Sequence, residues 1–259
     1  MENRTYADVL GSGGGHAPRL SSYARACGLA TNYQAITHPS LPNYLAATSG
    51  DTGGVSSDCS PADCPQHRTS LFAQLDRAGL EWRTYAESMP SPCDRTTQGR
   101  YATKHNPAVY FPGVRSRCEQ WDLPMGGANG PFAHDLANKT LAAFTFVEPD
   151  ICDDGHDCTT RFADQWLGAL LDRITASPSY KQGGAAVFVT WDEGIGDDQH
   201  IATVVISPGV PRGTRAAQPF THYSLLRTTE ALLGLPPLGN AGTAGDMRAA
   251  FGLTAPPTR

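Results

Sequence analysis

At 259 residues, with 40% hydrophobic and 17% charged content, the chain has enough apolar mass for a substantial core and is no disordered protein. A net charge of −5 without any Lys/Arg stripe excludes a surface built to track nucleic acid. No run approaches the roughly eighteen apolar residues that a membrane-spanning helix needs, so no transmembrane segment is expected.

In chain order, Glu2-Asn3 reads as a disordered tail. Residues 10–15 (Leu-Gly-Ser-Gly-Gly-Gly) read as a flexible loop, and no Gly-Lys-Ser/Thr follows to make it a P-loop. An extended segment, Tyr33-Gln-Ala-Ile36, runs into Thr37-His-Pro-Ser40-Leu-Pro-Asn43 and the helix-compatible Tyr44-Leu-Ala-Ala47. Proline holds the residue before it extended and is tolerated in a helix's first turn. Residues 69–78 form an amphipathic helix stopped by Gly79, followed by the strand Trp82-Arg-Thr-Tyr85. Residues 88–131, rich in Pro, Gly, Cys and aromatics, make a cross-linked excursion whose Tyr101, Tyr110, Phe111 and Trp121 fit either an apolar rim or a core. Beyond it, strand 141–147, helix 162–175, strands 185–190 and 201–206, and helix 223–233 (ended by Gly234 and Pro236) alternate. That alternation predicts an α/β fold with a mainly parallel sheet, in one domain over 1–259.

The six clustered cysteines allow fifteen pairings, and local pairing makes 59–64, 93–118 and 152–158 the simplest set, with Cys27 left over. Zinc is the competing reading, although the spacings are not of the paired C-x₂-C type. Disulfides imply an oxidising compartment, hence an exported protein, while Met1-Glu2-Asn3 carries no signal-peptide pattern. The export signal is therefore expected to have been removed, or the natural start to lie upstream.

Ligands of such folds bind beyond the carboxyl ends of the strands. Ser40 falls near a helix start, where free N–H groups favour an anion and a hydroxyl could attack a phosphoryl group; the alternative is an ordinary N-cap serine. Strand 185–190 runs into Trp191-Asp192-Glu193-Gly194, two adjacent carboxylates suited to a divalent metal or else a solvated turn. Strand 141–147 runs into Glu148-Pro-Asp150 and then Cys152-Asp-Asp-Gly-His156-Asp157-Cys158, whose imidazole could protonate a leaving group. His105, His200 and His222 occupy comparable settings. His38, held off by Pro39, is no obvious base for Ser40.

Taken together, Glu2-Asn3-Arg-Thr-Tyr6, Thr37-His-Pro-Ser-Leu-Pro-Asn-Tyr44, Lys104-His-Asn-Pro107, His156-Asp157, Thr190-Trp-Asp-Glu-Gly194 and His222-Tyr-Ser-Leu-Leu-Arg227 resemble the bacterial phosphoesterase family. That family holds secreted acid phosphatases and non-haemolytic phospholipases C, in the alkaline-phosphatase-like superfamily, and the layout is most similar to small actinobacterial acid phosphatases. The resemblance implies Ser40 as a nucleophile forming a phosphoseryl intermediate, and one divalent metal on Glu2, Asn3, Asp192 and Glu193. It implies His156, then His105 and His222, as catalytic histidines, with His200 weaker, and Asn43 and Asp157 as substrate-binding residues. Relatives carry a hydrophobic strand just before the Glu-Asn pair. Its absence here implies a sheet lacking a central member, with Glu2 a frayed terminus. The expected function is a secreted, metal-dependent phosphomonoesterase acting on a small phosphorylated substrate. A phospholipase C-type diesterase acting on a phospholipid head group, or a binding domain that has lost its metal, are the alternatives.

Overall fold

The computed structural model describes residues 1–11 and 16–254; residues 12–15 of the expected glycine-rich loop lie outside them. The strands are β1 (Gly28–Ala30), β2 (Tyr33–Gln34), β3 (Trp82–Ala86), β4 (Asp122–Pro124), β5 (Phe144–Glu148), β6 (Val187–Thr190), β7 (Thr203–Ile206), β8 (Thr214–Ala216) and β9 (Phe220–Thr221). They form three sheets, ordered β6-β7-β1-β8, β4-β3-β5 and β2-β9. The expected single sheet is thus divided. Pairing is parallel for β1–β8, β2–β9, β3–β4 and β3–β5, as the alternation predicted. The exception is β7, antiparallel to both β6 and β1. No crossover helix separates β6 from β7, and a parallel connection needs one.

The division falls beside β5 and β6, the half-buried strands, whereas β1 and β7 are buried throughout. Chain connectivity there comes from Met1 and Glu2. The Asp192 N–H donates to the Met1 carbonyl at 3.0 Å, and the Glu2 N–H donates to the Asp154 carbonyl at 2.9 Å. These two bonds tie the loop after β6 to the loop after β5. Glu2 is therefore no frayed tail: its side chain is wholly buried.

One apolar cluster packs Leu20, Ala24, Leu167 and Leu171 of helices Pro18–Ala26 and Thr160–Ala176 on β1 and β7. A second gathers Leu41, Leu45, Phe72, Trp82 and Tyr110 beneath the excursion. Tyr101, Tyr110 and Phe111 are core, not rim, and Trp121 packs edge-on against Trp82. The disulfides are Cys59–Cys64, Cys93–Cys118 and Cys152–Cys158, with Cys27 free. No helix among the described residues is long and apolar enough to cross a membrane.

Candidate active site

Ser40 opens the helix Ser40–Ser49, with Pro39 extended at the cap and Gly50 closing the other end in the left-handed region. A Cβ at Gly50 would fall 2.2 Å from the Leu238 carbonyl oxygen, so that turn requires glycine. Asn43 braces the approach to Ser40. Its Oδ1 accepts from the Ile36 and Thr37 N–H groups, and its Nδ2 donates to the carbonyls of Thr37 (2.7 Å) and Pro39 (3.2 Å). The amide expected to meet substrate is thus committed to the backbone of the turn that precedes Ser40.

The Ser40 Oγ–H donates to Glu2 Oε2 at 3.0 Å, and the Tyr44 hydroxyl donates to Glu2 Oε1. Tyr44 lies one helical turn after Ser40, so a single helix face grips both oxygens of one carboxylate. His105 Nε2 sits 3.0 Å from the same Glu2 Oε2, and its Nδ1 sits 3.2 Å from Asp154 Oδ2. Burial raises the Glu2 pKa, but the His105 charge and its hydrogen bond outweigh this and bring it to about 2. Burial likewise opposes the His105 charge, and the Glu2 and Asp154 carboxylates overcome it, lifting His105 to about 10.

Asp192 and Glu193 arrive straight from β6, both buried. Burial first, then the Glu2 and Glu193 charges, push the Asp192 carboxyl well above its usual range. The Asn3 N–H donates to Asp192 Oδ1 at 3.1 Å. The Asn3 side-chain amide lies 3.3 Å from both Glu193 Oε1 and Glu2 Oε2. Turned nitrogen-first it donates to both; turned oxygen-first it adds an oxygen to theirs. Asp192 Oδ2 is buried with no hydrogen-bond partner. Two like charges about 4 Å apart repel by roughly 4 kcal/mol at an effective dielectric near 20, and a divalent cation between them reverses the sign. An orphaned carboxylate oxygen inside an oxygen-rich cage therefore fits a hard divalent ion. A second group of possible ligands, Glu2, His105 and Asp154, shares Glu2, with donor atoms within 4.8 Å of one another.

Asp154 is the principal residue missing from the sequence-based set. It lies two residues before His156 in the loop stapled by Cys152–Cys158, and its Oδ1 accepts the His156 N–H at 2.7 Å. His156 itself is half-exposed at the mouth. Its Nδ1 is 2.7 Å from Asp157 Oδ1, so Asp157 orients the ring and leaves Nε2 facing the cleft, 3.4 Å from Lys104 Nζ. His38, set aside from the sequence, lies 2.8 Å from Glu193 Oε2 through Nδ1, with Nε2 2.7 Å from the Gly196 carbonyl oxygen. Both contacts join residues far apart along the chain, which neighbour spacing in an extended segment does not reveal.

Two expected histidines have other company. His222 is wholly enclosed, its Nε2 at 2.5 Å from the Asp192 carbonyl oxygen and its Nδ1 at 3.2 Å from the Tyr33 hydroxyl. Burial lowers its pKa to about 4. Both nitrogens are engaged, one of them by the Asp192 backbone, so the ring braces that segment from beneath. His200 stacks on Tyr6 with ring centroids 4.5 Å apart and meets the Thr31 carbonyl, outside the cluster around Ser40.

The Phosphoesterase family's sequence profile matches residues 13–236. The chain is 30% identical to an acid phosphatase of Aspergillus fumigatus over 82% of its own length and 49% of that protein's. It is 31% identical to a phosphatidylinositol-3-phosphatase of Mycobacterium tuberculosis over 94% of its length and 78% of that protein's. The chain spans about half the length of the fungal acid phosphatases it matches. Among solved structures, an alkaline phosphatase superfamily protein from Vibrio parahaemolyticus matches at TM-score 0.62 and 14% identity, over 97% of this chain and 70% of that one. A phosphonate monoester hydrolase from Silicibacter pomeroyi matches at TM-score 0.61 and 12% identity, over 100% and 77%. These likenesses carry the fold, and the profile match runs through most of the sequence: the chain belongs to the Phosphoesterase family, on an alkaline-phosphatase-superfamily fold.

Proposed function

We propose that the chain is a phosphoric monoester hydrolase acting through a phosphoseryl intermediate on Ser40. The observation that carries this is the Ser40 hydroxyl at a helix start, donating to a Glu2 carboxylate that is part of a buried oxygen cage. Glu2, Asn3, Asp192 and Glu193 would hold one divalent metal, with Asp154 and His105 beside it. Such an ion supplies a lowered hydroxyl pKa and neutralises phosphoryl charge. Glu2 Oε2, which accepts the Ser40 Oγ–H, takes that proton as Oγ attacks phosphorus and returns it when Ser40 is released. His105, fixed between Glu2 and Asp154, sets a positive charge beside the developing phosphorane. His156, oriented by Asp157, holds its Nε2 beside Lys104 Nζ, placed to give a proton to the departing alkoxide and later to take one from the water that cleaves the phosphoserine. Asn43, His38 and His222 hold the nucleophile turn, Glu193 and Asp192 in register.

Both halves of the molecule contribute to this one site, which supports a single catalytic domain. The buried Glu2 weighs against a binding domain that has lost its metal, and the burial of Tyr101, Tyr110 and Phe111 weighs against the apolar rim of a phospholipase C. The similarity to a phosphatidylinositol-3-phosphatase supports a monoester on a lipid head group as one substrate alongside small soluble phosphates. Three disulfides support export to an oxidising compartment. The test is hydrolysis of p-nitrophenyl phosphate against its bis-ester, with and without EDTA, beside Ser40→Ala. Monoester turnover lost to EDTA and to Ser40→Ala is expected. Turnover that survives Ser40→Ala would overturn the mechanism.

A further inference from the structure

Asp58 and Lys104 close the mouth of the site, and nothing in the mechanism above uses them. Asp58 Oδ1 accepts the Leu41 N–H at 3.0 Å, in the first turn of the Ser40 helix. Its Oδ2 pairs with Lys104 Nζ at 3.0 Å. The same ammonium is 3.4 Å from His156 Nε2, and its charge is felt by Glu2 and Asp192. Asp58 in turn acts on Glu193. One carboxylate thus bridges a backbone donor next to the nucleophile and a cation next to the leaving-group histidine. Those are the two kinds of donor that oxygens of a phosphoryl group on Ser40 require.

We propose that the Asp58 carboxylate is a built-in stand-in for the substrate's phosphoryl group, which takes over Leu41 N–H and Lys104 as it enters. Lys104 is then a substrate-binding residue, and Asp58 sets selectivity for doubly charged monoesters over singly charged diesters. This rests on the reading of Ser40 as the nucleophile. The selectivity follows from the exchange itself. Replacing one negative charge by a phosphomonoester dianion strengthens the contact with Lys104, while replacing it by a diester monoanion exchanges like for like. The Cys59–Cys64 staple immediately after Asp58 returns the carboxylate to its seat when product leaves.

The test measures inorganic phosphate binding by calorimetry at about pH 8.5, where both inorganic phosphate and a phosphomonoester are predominantly dianions. Wild type, Asp58→Asn and Lys104→Met are compared, with kcat/KM on the mono- and bis-p-nitrophenyl esters and thermal melts alongside. Losing or freeing one charge-assisted contact is expected to shift phosphate affinity about tenfold: tighter in Asp58→Asn, weaker in Lys104→Met. The monoester-to-diester ratio of kcat/KM should fall in both variants: in the first because a diester no longer competes with a carboxylate, in the second because the dianion loses its cation. Phosphate binding seen only in Asp58→Asn also supports the proposal. An Asp58→Asn protein that melts lower with unchanged phosphate affinity is a helix cap and overturns it. So does Lys104→Met with unchanged affinity, or the absence of phosphate binding in wild type and Asp58→Asn alike. Because the titration needs no turnover, an inactive wild type that still shows these shifts would count against the Ser40 mechanism and not against the Asp58 exchange.

Discussion

The loops that follow β6 and β5 solve the same problem in different ways. After β6 the chain delivers Asp192 and Glu193 at once, as the direct continuation of the strand. After β5, which ends on Glu148, it passes Pro149 and Asp150, turns through a disulfide-closed loop, and presents Asp154 inward and His156 outward. In the first, the strand's own direction positions the ligands. In the second, position comes from a fold-back that two bonds enforce: the Glu2 N–H to the Asp154 carbonyl and Asp154 Oδ1 to the His156 N–H. Strand-end carboxylates belong to the framework, while the stapled loop is an insert that has to be held in place. That contrast organises the tests.

The largest effect should come where both loops converge. Ser40→Ala is expected to cut monoester turnover at least about 10³-fold with little change in melting temperature; steady-state kinetics beside a thermal melt check it. Next comes the framework loop. Asp192→Asn should lower activity by about 10²-fold or more and reduce metal content measured by elemental analysis, since it removes a charge from the cage. Asp154→Asn, in the insert, should cost less, about 10–100-fold, as expected for a group that orients or supplements ligands. An Asp154→Asn loss equal to that of Asp192→Asn would erase the distinction between framework and insert.

How far this site was legible follows the same division. Ser40 between two prolines, Asp192-Glu193 at a strand end, and the three disulfides carry local signals: turn chemistry, period-2 hydrophobicity, short cysteine spacing. Helices 69–78, 162–175 and 223–233 were legible for the same reason, and appear as Leu71–Arg77, Thr160–Ala176 and His222–Leu232. Asp154, His38, Asp58 and Lys104 carry no such signal, because their roles exist only through atoms far along the chain. The gap in the sheet was legible only through the resemblance, which implied a missing central strand, whereas β1, β4, β8 and β9 are two or three residues long, too short for periodicity to register. Glu2 illustrates the cost most plainly. A terminal dipeptide looks like a tail until Ser40, Tyr44 and His105 are seen to surround it.

The smallest expected effect concerns stability under the excursion. Asp122, in β4, is buried; desolvation raises its pKa to about 7 although Thr84 and Asn106 donate to it. A carboxyl raised in the folded state contributes stability fully below its unfolded pKa, and that contribution is lost as pH rises through the folded value. The melting temperature should therefore decline by a few degrees between about pH 4 and pH 7 on this account, and Asp122→Asn should flatten that slope. Melts across that range in both proteins decide it; an unaltered slope would assign the decline to other groups.

The three disulfides span sequence separations of only 5, 25 and 6 residues, so none ties the β6-β7-β1-β8 sheet to the β4-β3-β5 sheet. By loop-closure entropy, rings of this size each contribute about 2–3.5 kcal/mol through the unfolded chain, so together they matter to global stability. They also hold Asp58, the excursion over His105, and the Asp154–His156 loop. A reductant would then act twice: the rim around Ser40 would slacken, and the margin that keeps the whole chain folded would narrow with it.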